Sequence, residues 1–239
     1  MFKRSTSITL IFFSLFYSSS LLANITLDRV IIFFQPDKRP IQTVDVINID
    51  DKRTFAVKTK VVEVLNPGTP EQTSQASKSL IVAPNAFEIA AQKNRSARLL
   101  LKDRNQSDIE KVYRVTFTPE APSRPVKQES EAKAVKTKID IIVGMGALIL
   151  VPPKEVRYQL EASRDGKNLS FENKGNISTE IQPRKICKTE KECFQFNGAR
   201  LYPGNKFEYE LPEGFEKVGL TLSVRAAEKY SSVEFSPLK

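Results

Sequence analysis

The chain has 239 residues, with 37 Lys and Arg against 28 Asp and Glu, a net charge of +9 and no histidine. Without histidine, the chain cannot use Ser–His, Cys–His or histidine–metal chemistry. Basic and acidic residues are interleaved along the chain, which favours solvated faces over a nucleic-acid-binding surface.

Residues 1–23 have the pattern of a secretory signal peptide. Lys3 and Arg4 form a positive start, an apolar stretch follows, and the small residue Ala23 precedes Asn24. An uncleaved N-terminal anchor is the alternative. Cleavage would leave 216 residues with a net charge of +7, because Lys3 and Arg4 are removed. No later segment reaches the roughly 20 apolar residues of a spanning helix, so we expect an exported chain without a membrane span.

Alternating apolar and polar residues predict a series of short strands in the first half of the chain. Turn signals such as Asn66-Pro67-Gly68 separate them. The predicted strands cover residues 25–34, 41–48, 55–65, 79–83, 86–91, 97–101 and 112–118. Strands at about ten-residue spacing are typical of a β-sandwich.

The next segment, Ile139 to Val151, is an apolar run that carries one charge and ends at Pro152-Pro153. Its β-branched residues, two glycines and proline stop favour a strand over a helix. A polar stretch rich in Pro, Lys, Glu and Ser precedes it. Because both faces of this strand are apolar, either the chain's own core or a partner must cover it.

A second series of strands follows the two prolines. They cover residues 156–162, 168–173, 177–186, 206–211, 218–224 and 231–235, with a hairpin signal at Asp165-Gly166. No segment predicts a helix. We therefore predict an all-β chain with one domain at residues 24–152 and a second at residues 153–239, joined by a stiff proline-containing hinge.

Cys187 and Cys193 lie close together in a chain predicted to be exported. Their spacing suits a small disulfide loop in an oxidising compartment, and two unpaired thiols are the alternative. We expect no metal site, because there is no histidine and no further cysteine.

Several segments, in this order, resemble the periplasmic chaperones of the chaperone–usher pilus pathway. These are Thr26 to Arg29, Leu80 to Pro84, Phe87 to Ile89, Arg95 to Leu101 and Val112 to Phe117. Asn66 to Thr69 and the paired cysteines look closest to the alternate branch, which serves colonisation-factor and common-pilus type fimbriae. The resemblance implies two immunoglobulin-like domains, a periplasmic location and no cofactor.

The resemblance also implies that a strand at about residues 135–151 is donated to a pilus subunit that lacks one, before delivery to an outer-membrane usher. The subunit-binding side chains would be Ile139, Ile141, Val143 and Met145, on one face of that strand. The alternative is that these side chains pack into the chain's own core. Self-association of the unliganded chain through the same edge is a further expectation.

One departure from the family concerns its carboxylate anchor. The better-known branch binds the terminal carboxylate of the subunit with an arginine on the first strand and a lysine on the donor strand. Those positions fall on Ile31 and Leu148 here, which cannot bind a carboxylate. The candidate replacements are Arg29, Lys138 and Arg114; Arg29 is two residues from the expected position.

Two other functional classes fit the sequence less well. A structural pilus subunit or tip adhesin would carry a free extension before its first strand, whereas here the predicted first strand begins close to the cleavage site. An enzyme is not expected, since histidine is absent and no carboxylate pair stands out at a recognisable spacing.

Overall fold

The computed structural model describes residues 24–120 and 142–237, and within these residues every regular element is a strand. The predicted signal peptide lies outside the described residues. The first domain contains strands β1 (Ile25–Leu27), β2 (Ile31–Phe33), β3 (Ile41–Asn48), β4 (Phe55–Leu65), β5 (Thr73–Ala76), β6 (Leu80–Ala83), β7 (Ala86–Ile89), β8 (Asn94–Leu101), β9 (Lys111–Glu120) and β10 (Met145–Val151).

The first domain is a sandwich of two sheets. The first sheet has the order β1-β3-β8-β6, and the second has the order β2-β10-β9-β4-β5, with β7 also paired to β4. Alternate residues of both sheets point inward and form one apolar core, for example Val44, Leu99, Phe117 and Ile149, each 0% exposed. This alternation is the physical basis of the period-2 pattern in the sequence.

The predicted first strand is divided in the structure. β1 pairs antiparallel with β3 in the first sheet, whereas β2 pairs parallel with β10 in the second sheet. The chain crosses between the sheets at residues 28–30, where it is not extended. The expectation that Arg29 shares a face with position 31 is therefore wrong, because face alternation holds only within one continuous strand.

The second domain contains β11 (Leu160–Asp165), β12 (Asn168–Asn173), β13 (Thr179–Ile181), β14 (Arg184–Cys187), β15 (Cys193–Phe196), β16 (Ala199–Leu201), β17 (Lys206–Glu210), β18 (Leu220–Ala226) and β19 (Lys229–Phe235). Its sheets have the orders β11-β12-β17 and β16-β13-β18-β19, with β14-β15 as a separate hairpin. A second apolar core lies between these sheets and includes Phe171, Phe196 and Leu222. The two-sandwich, all-β architecture is confirmed, while the exact boundary at residues 152 and 153 stays a prediction.

Several local predictions about the second domain can be checked against these strands. The hairpin at Asp165-Gly166 is confirmed, and Gly166 has a φ of +57°, which glycine adopts without strain. The predicted strand 177–186 is wrong as one element, because the chain forms β13 and β14 on either side of Gln182-Pro183. Cys187 and Cys193 form a disulfide that closes the β14–β15 hairpin, which confirms the pairing.

Backbone and side-chain contacts join the two domains around Glu110. Its N–H donates to the carbonyl oxygen of Asn176 at 2.8 Å, and its carboxylate accepts the N–H of Ser178 at 2.9 Å. The side-chain amide of Asn176 donates in turn to the carbonyl oxygen of Asp108 at 2.9 Å. These bonds hold the second domain against the base of β9 and leave a cleft between the two sandwiches.

Candidate functional site

Strand β10 has a free edge along its first half. β9 pairs with β10 along its whole length, from Met145 to Val151. On the other side, β2 pairs only with the stretch from Leu148 to Leu150. Among the described residues, no strand pairs with Met145 to Ala147 on that side.

The backbone orientation identifies which groups this free edge presents. The N–H of Leu148 donates to the carbonyl oxygen of Val30 at 2.8 Å, on the side of β2. Because backbone groups alternate sides along a strand, the N–H and C=O of Gly146 point to the same side, beyond the end of β2. Within the part of the chain that the structure describes, neither group has a backbone partner there. A strand of another chain can satisfy both groups by pairing with β10.

The side chains of β10 divide into an inner and an outer set. Ala147, Ile149 and Val151 point into the core of the first domain, and Met145 packs partly against the same core. Val143, two residues earlier, is 45% exposed. The odd-numbered face thus changes from the chain's own core to solvent between Met145 and Val143.

These positions bear unequally on the predicted donor residues. Met145 contributes to the domain core and is only half-buried, while Val143 is open to a partner. Gly144 lies beside Phe117 and Thr118, where the β9–β10 register would continue. Ile139 and Ile141 lie outside the described residues, so their role as donors stays a prediction.

The two positions where the family places basic residues are adjacent in the structure. Ile31 of β2 is the register partner of Leu148 of β10, and both pack in an apolar cluster at the floor of the cleft. Tyr202 of the second domain packs against the same cluster. The floor is therefore apolar where a cationic pair was expected.

The three predicted anchors have different surroundings. Arg29 donates to the carbonyl oxygen of Thr43 at 2.7 Å and contacts the carboxylate of Asp28 at 3.2 Å, so its guanidinium is engaged beside β3. Arg114 is the register partner of Leu148 and therefore lies in the same row across the sheet; it is exposed and has no ion pair with any described residue. Lys138 lies outside the described residues.

Sequence reasoning missed a charged row on the second domain. Glu180 is the register partner of Arg200 on β16 and of Arg225 on β18, and one of its carboxylate oxygens accepts from these guanidinium groups at 2.7 and 2.6 Å. Two arginines therefore share a single carboxylate, which leaves one positive charge in excess. The arginine types were visible in the sequence, but their convergence depends on strand pairing and on the placement of the second domain.

Arg225 reaches the first domain. Its guanidinium carbon lies 5.9 Å from the centre of the Phe33 ring on β2. Its Nε atom is buried and has no hydrogen-bond partner. The hydrogen bond to Tyr230 and the pairing with Glu180 raise the pKa of Arg225, so this group is fully cationic. An unpaired cationic donor beside an apolar floor is suited to binding an anion.

Two titratable groups near the floor respond to burial. Desolvation raises the pKa of the Glu110 carboxyl, against the opposing effects of the Ser178 hydrogen bonds and the charge of Arg200. Desolvation likewise raises the pKa of the Tyr202 hydroxyl. No group of three or more potential metal ligands occurs among residues 24–120 and 142–237, and no helix in those ranges is long and apolar enough to cross a membrane.

Comparison with known proteins decides the class. Residues 24–157 match the family model described as "Pili and flagellar-assembly chaperone, PapD N-terminal domain". The chain belongs to this family. Members of this chaperone family form a class of assembly proteins, not of enzymes, and the pilus chaperones of the chaperone–usher pathway are periplasmic.

Individual relatives of this chaperone agree with the family match. The chain is 30% identical over 170 residues to a CS1 fimbrial subunit of Escherichia coli, covering 66% of this chain and 69% of that protein. The class 5 fimbriae chaperone CfaA shares the fold, with 20% identity, a TM-score of 0.57, and coverage of 90% of this chain and 100% of that one. The E. coli chaperone DraB also shares it, with 18% identity, a TM-score of 0.60, and coverage of 90% and 96%. The chain is thus a periplasmic chaperone of chaperone–usher fimbriae of the colonisation-factor type, and the alternative of a structural pilus component or adhesin is not favoured.

Proposed function

We propose that this chaperone captures an unfinished pilus subunit by adding residues of the 135–151 segment to the subunit as a β-strand, without catalysing a reaction. Ile139, Ile141 and Val143 would fill the apolar groove of the subunit, and Met145 would lie at the border with the chaperone's own core. The observation that carries the proposal is the free edge of β10 before Leu148. Main-chain pairing supplies affinity in strand addition, and alternate side chains supply specificity.

The geometry of the edge limits where the client strand can go. A client strand that pairs with β10 cannot continue past Leu148, because β2 occupies that edge from Leu148 to Leu150. The client chain would therefore end or turn away beside Ile31. If it ends there, the charge of its terminus must suit the cleft.

Cations on both walls favour a carboxylate terminus over an amine. Arg114 lies in the row of Ile31 and Leu148, and Arg225 approaches from the second domain over Phe33. We propose that these two arginines replace the cationic pair that the family places on the floor. A client that ends in its carboxylate at this point runs parallel to β10.

Delivery to an outer-membrane usher completes the proposed cycle. The solved Salmonella enterica complex of the SafA pilin with the SafB chaperone shows that a protein with this fold binds a pilin; its chaperone chain is 13% identical, with a TM-score of 0.58 and coverage of 90% of this chain and 97% of that one. Release would follow when the extension of another subunit replaces the donated strand. Self-association of the unliganded chaperone through the same edge stays a prediction.

Co-expression with candidate pilus subunits tests the proposal. Val143→Asp places a charge where an apolar side chain should enter the client, and it should abolish recovery of the periplasmic complex while the chaperone stays folded, because Val143 is already 45% exposed. Ile49→Asp is a matched control at a position that is 42% exposed and distant from β10 in the fold. Equal complex yields from both variants would contradict strand donation at this site.

A further inference from the structure

An apolar row crosses the outer face of the first sheet. Ile41 of β3, Leu100 of β8 and Ile81 of β6 are register partners on three adjacent strands, so their side chains lie side by side. Ile41 is 46% exposed and Ile81 is 38% exposed. Their neighbours along the strands, such as Val82 and Leu99, point into the core instead. The row is one of the places where this chain exposes neighbouring large apolar side chains.

Three exposed cations surround this row. Arg98 lies two residues from Leu100 on the same face of β8, Lys102 lies two residues from Leu100 in the other direction, and Arg39 precedes Ile41. None of the three has a carboxylate within 4.0 Å among the described residues. A surface with apolar side chains flanked by unpaired cations complements apolar side chains flanked by carboxylates.

The position of the row limits what can occupy it. The row lies on the first sheet, whereas β10 and its free edge belong to the second sheet. A client held on β10 therefore leaves the row open to a third component. A second copy of this chain is disfavoured, because a two-fold contact through this face would bring the same three cations together.

We propose that this row, Ile41–Leu100–Ile81 with Arg39, Arg98 and Lys102, docks an acidic segment of the outer-membrane usher while the client is held on the opposite sheet. The two isoleucines supply the apolar contact, and the cations select carboxylates beside it and speed the encounter. The inference rests on the delivery step of the proposed function and is independent of strand donation.

The test measures binding of the purified chaperone–subunit complex to the usher encoded with it, held in detergent micelles. Ile41→Asp and Arg98→Glu should each weaken usher binding about tenfold or more, since loss of one buried isoleucine contact or reversal of one charge exceeds about 1.4 kcal/mol. Subunit capture should not change. Ile49→Asp serves as the matched control and should bind the usher as the wild type does. Raising NaCl from about 50 mM to about 500 mM should weaken wild-type binding and affect Arg98→Glu less.

Other outcomes separate this inference from its alternatives. Unchanged usher binding by both Ile41→Asp and Arg98→Glu overturns it, even if subunit capture proceeds normally. A wild-type complex that does not bind the usher contradicts the delivery step itself. A wild-type dimer in sedimentation that Ile41→Asp converts to a monomer assigns the row to self-association and also overturns the inference.

Discussion

Replacing Arg225 by glutamine should weaken client binding much more than it weakens the fold. The substitution removes the cation whose Nε is buried and unpaired above Phe33. A hydrogen bond from a charged donor to a carboxylate contributes about 1.5–3 kcal/mol. Client affinity should therefore fall by roughly 10- to 150-fold.

The effect of the same change on stability should be small. Arg225 contacts Glu180 at 2.6 Å, but the two side chains are 27% and 24% exposed, and Glu180 keeps Arg200 at 2.7 Å. Partly solvated ion pairs are worth about 1 kcal/mol or less. Urea unfolding should therefore show a loss of no more than about 1 kcal/mol.

The assay compares two forms of one client, a subunit with a native terminal carboxylate and the same subunit with an amidated terminus. Arg225→Gln should weaken binding of the native form and leave binding of the amidated form nearly unchanged. Arg184→Gln is the control, because Arg184 is an exposed arginine of the same domain that donates to the carbonyl oxygen of Thr221 at 2.6 Å. Equal losses for both client forms, or an equal loss in the control, would refute the role of Arg225.

Three further predictions concern the chaperone alone. Ile149→Ala should cost about 2–4 kcal/mol in urea unfolding because this β10 side chain is 0% exposed; a loss under about 1 kcal/mol would contradict the inward assignment of that face. Since burial raises the pKa of Glu110, its folded form holds the proton more tightly, and stability should be greatest below the unfolded pKa of about 4.3 and fall as the pH rises through the folded value; Glu110→Gln should flatten this slope in denaturation midpoints, and parallel slopes would argue against it. Changing Cys187 and Cys193 to serine together should cost about 2 kcal/mol, since the bridge closes a short loop; an unchanged melting temperature would show that the hairpin persists without it.

Strands with strict alternation could be predicted from the sequence, and strands without it could not. β3, β4 and β12 have the predicted bounds because each buries every second residue. β5 was missed because all four residues of Thr73–Ala76 are exposed, so no apolar period marks it. The division of β1 from β2 was missed because both halves are apolar and the crossing at residues 28–30 leaves no proline or glycine signal.

The site could be predicted only where it depends on local pattern. The apolar character of Ile31 and Leu148 followed from counting along two strands, and their pairing in register agrees with that counting. Arg225 could not be found in this way, because its importance comes from a second domain that places it over Phe33. Tertiary convergence of this kind leaves no periodic signal in a single sequence.

Amide hydrogen exchange at Gly146 tests the central claim most directly. Its N–H points to the free edge of β10, whereas the N–H of Ala147 points to β9 and is paired with or without a client. The account predicts fast exchange at Gly146 in the free chaperone and at least roughly hundredfold slower exchange in the subunit complex, with Ala147 protected in both. Exchange at Gly146 that is equally fast in the complex would contradict capture by strand addition.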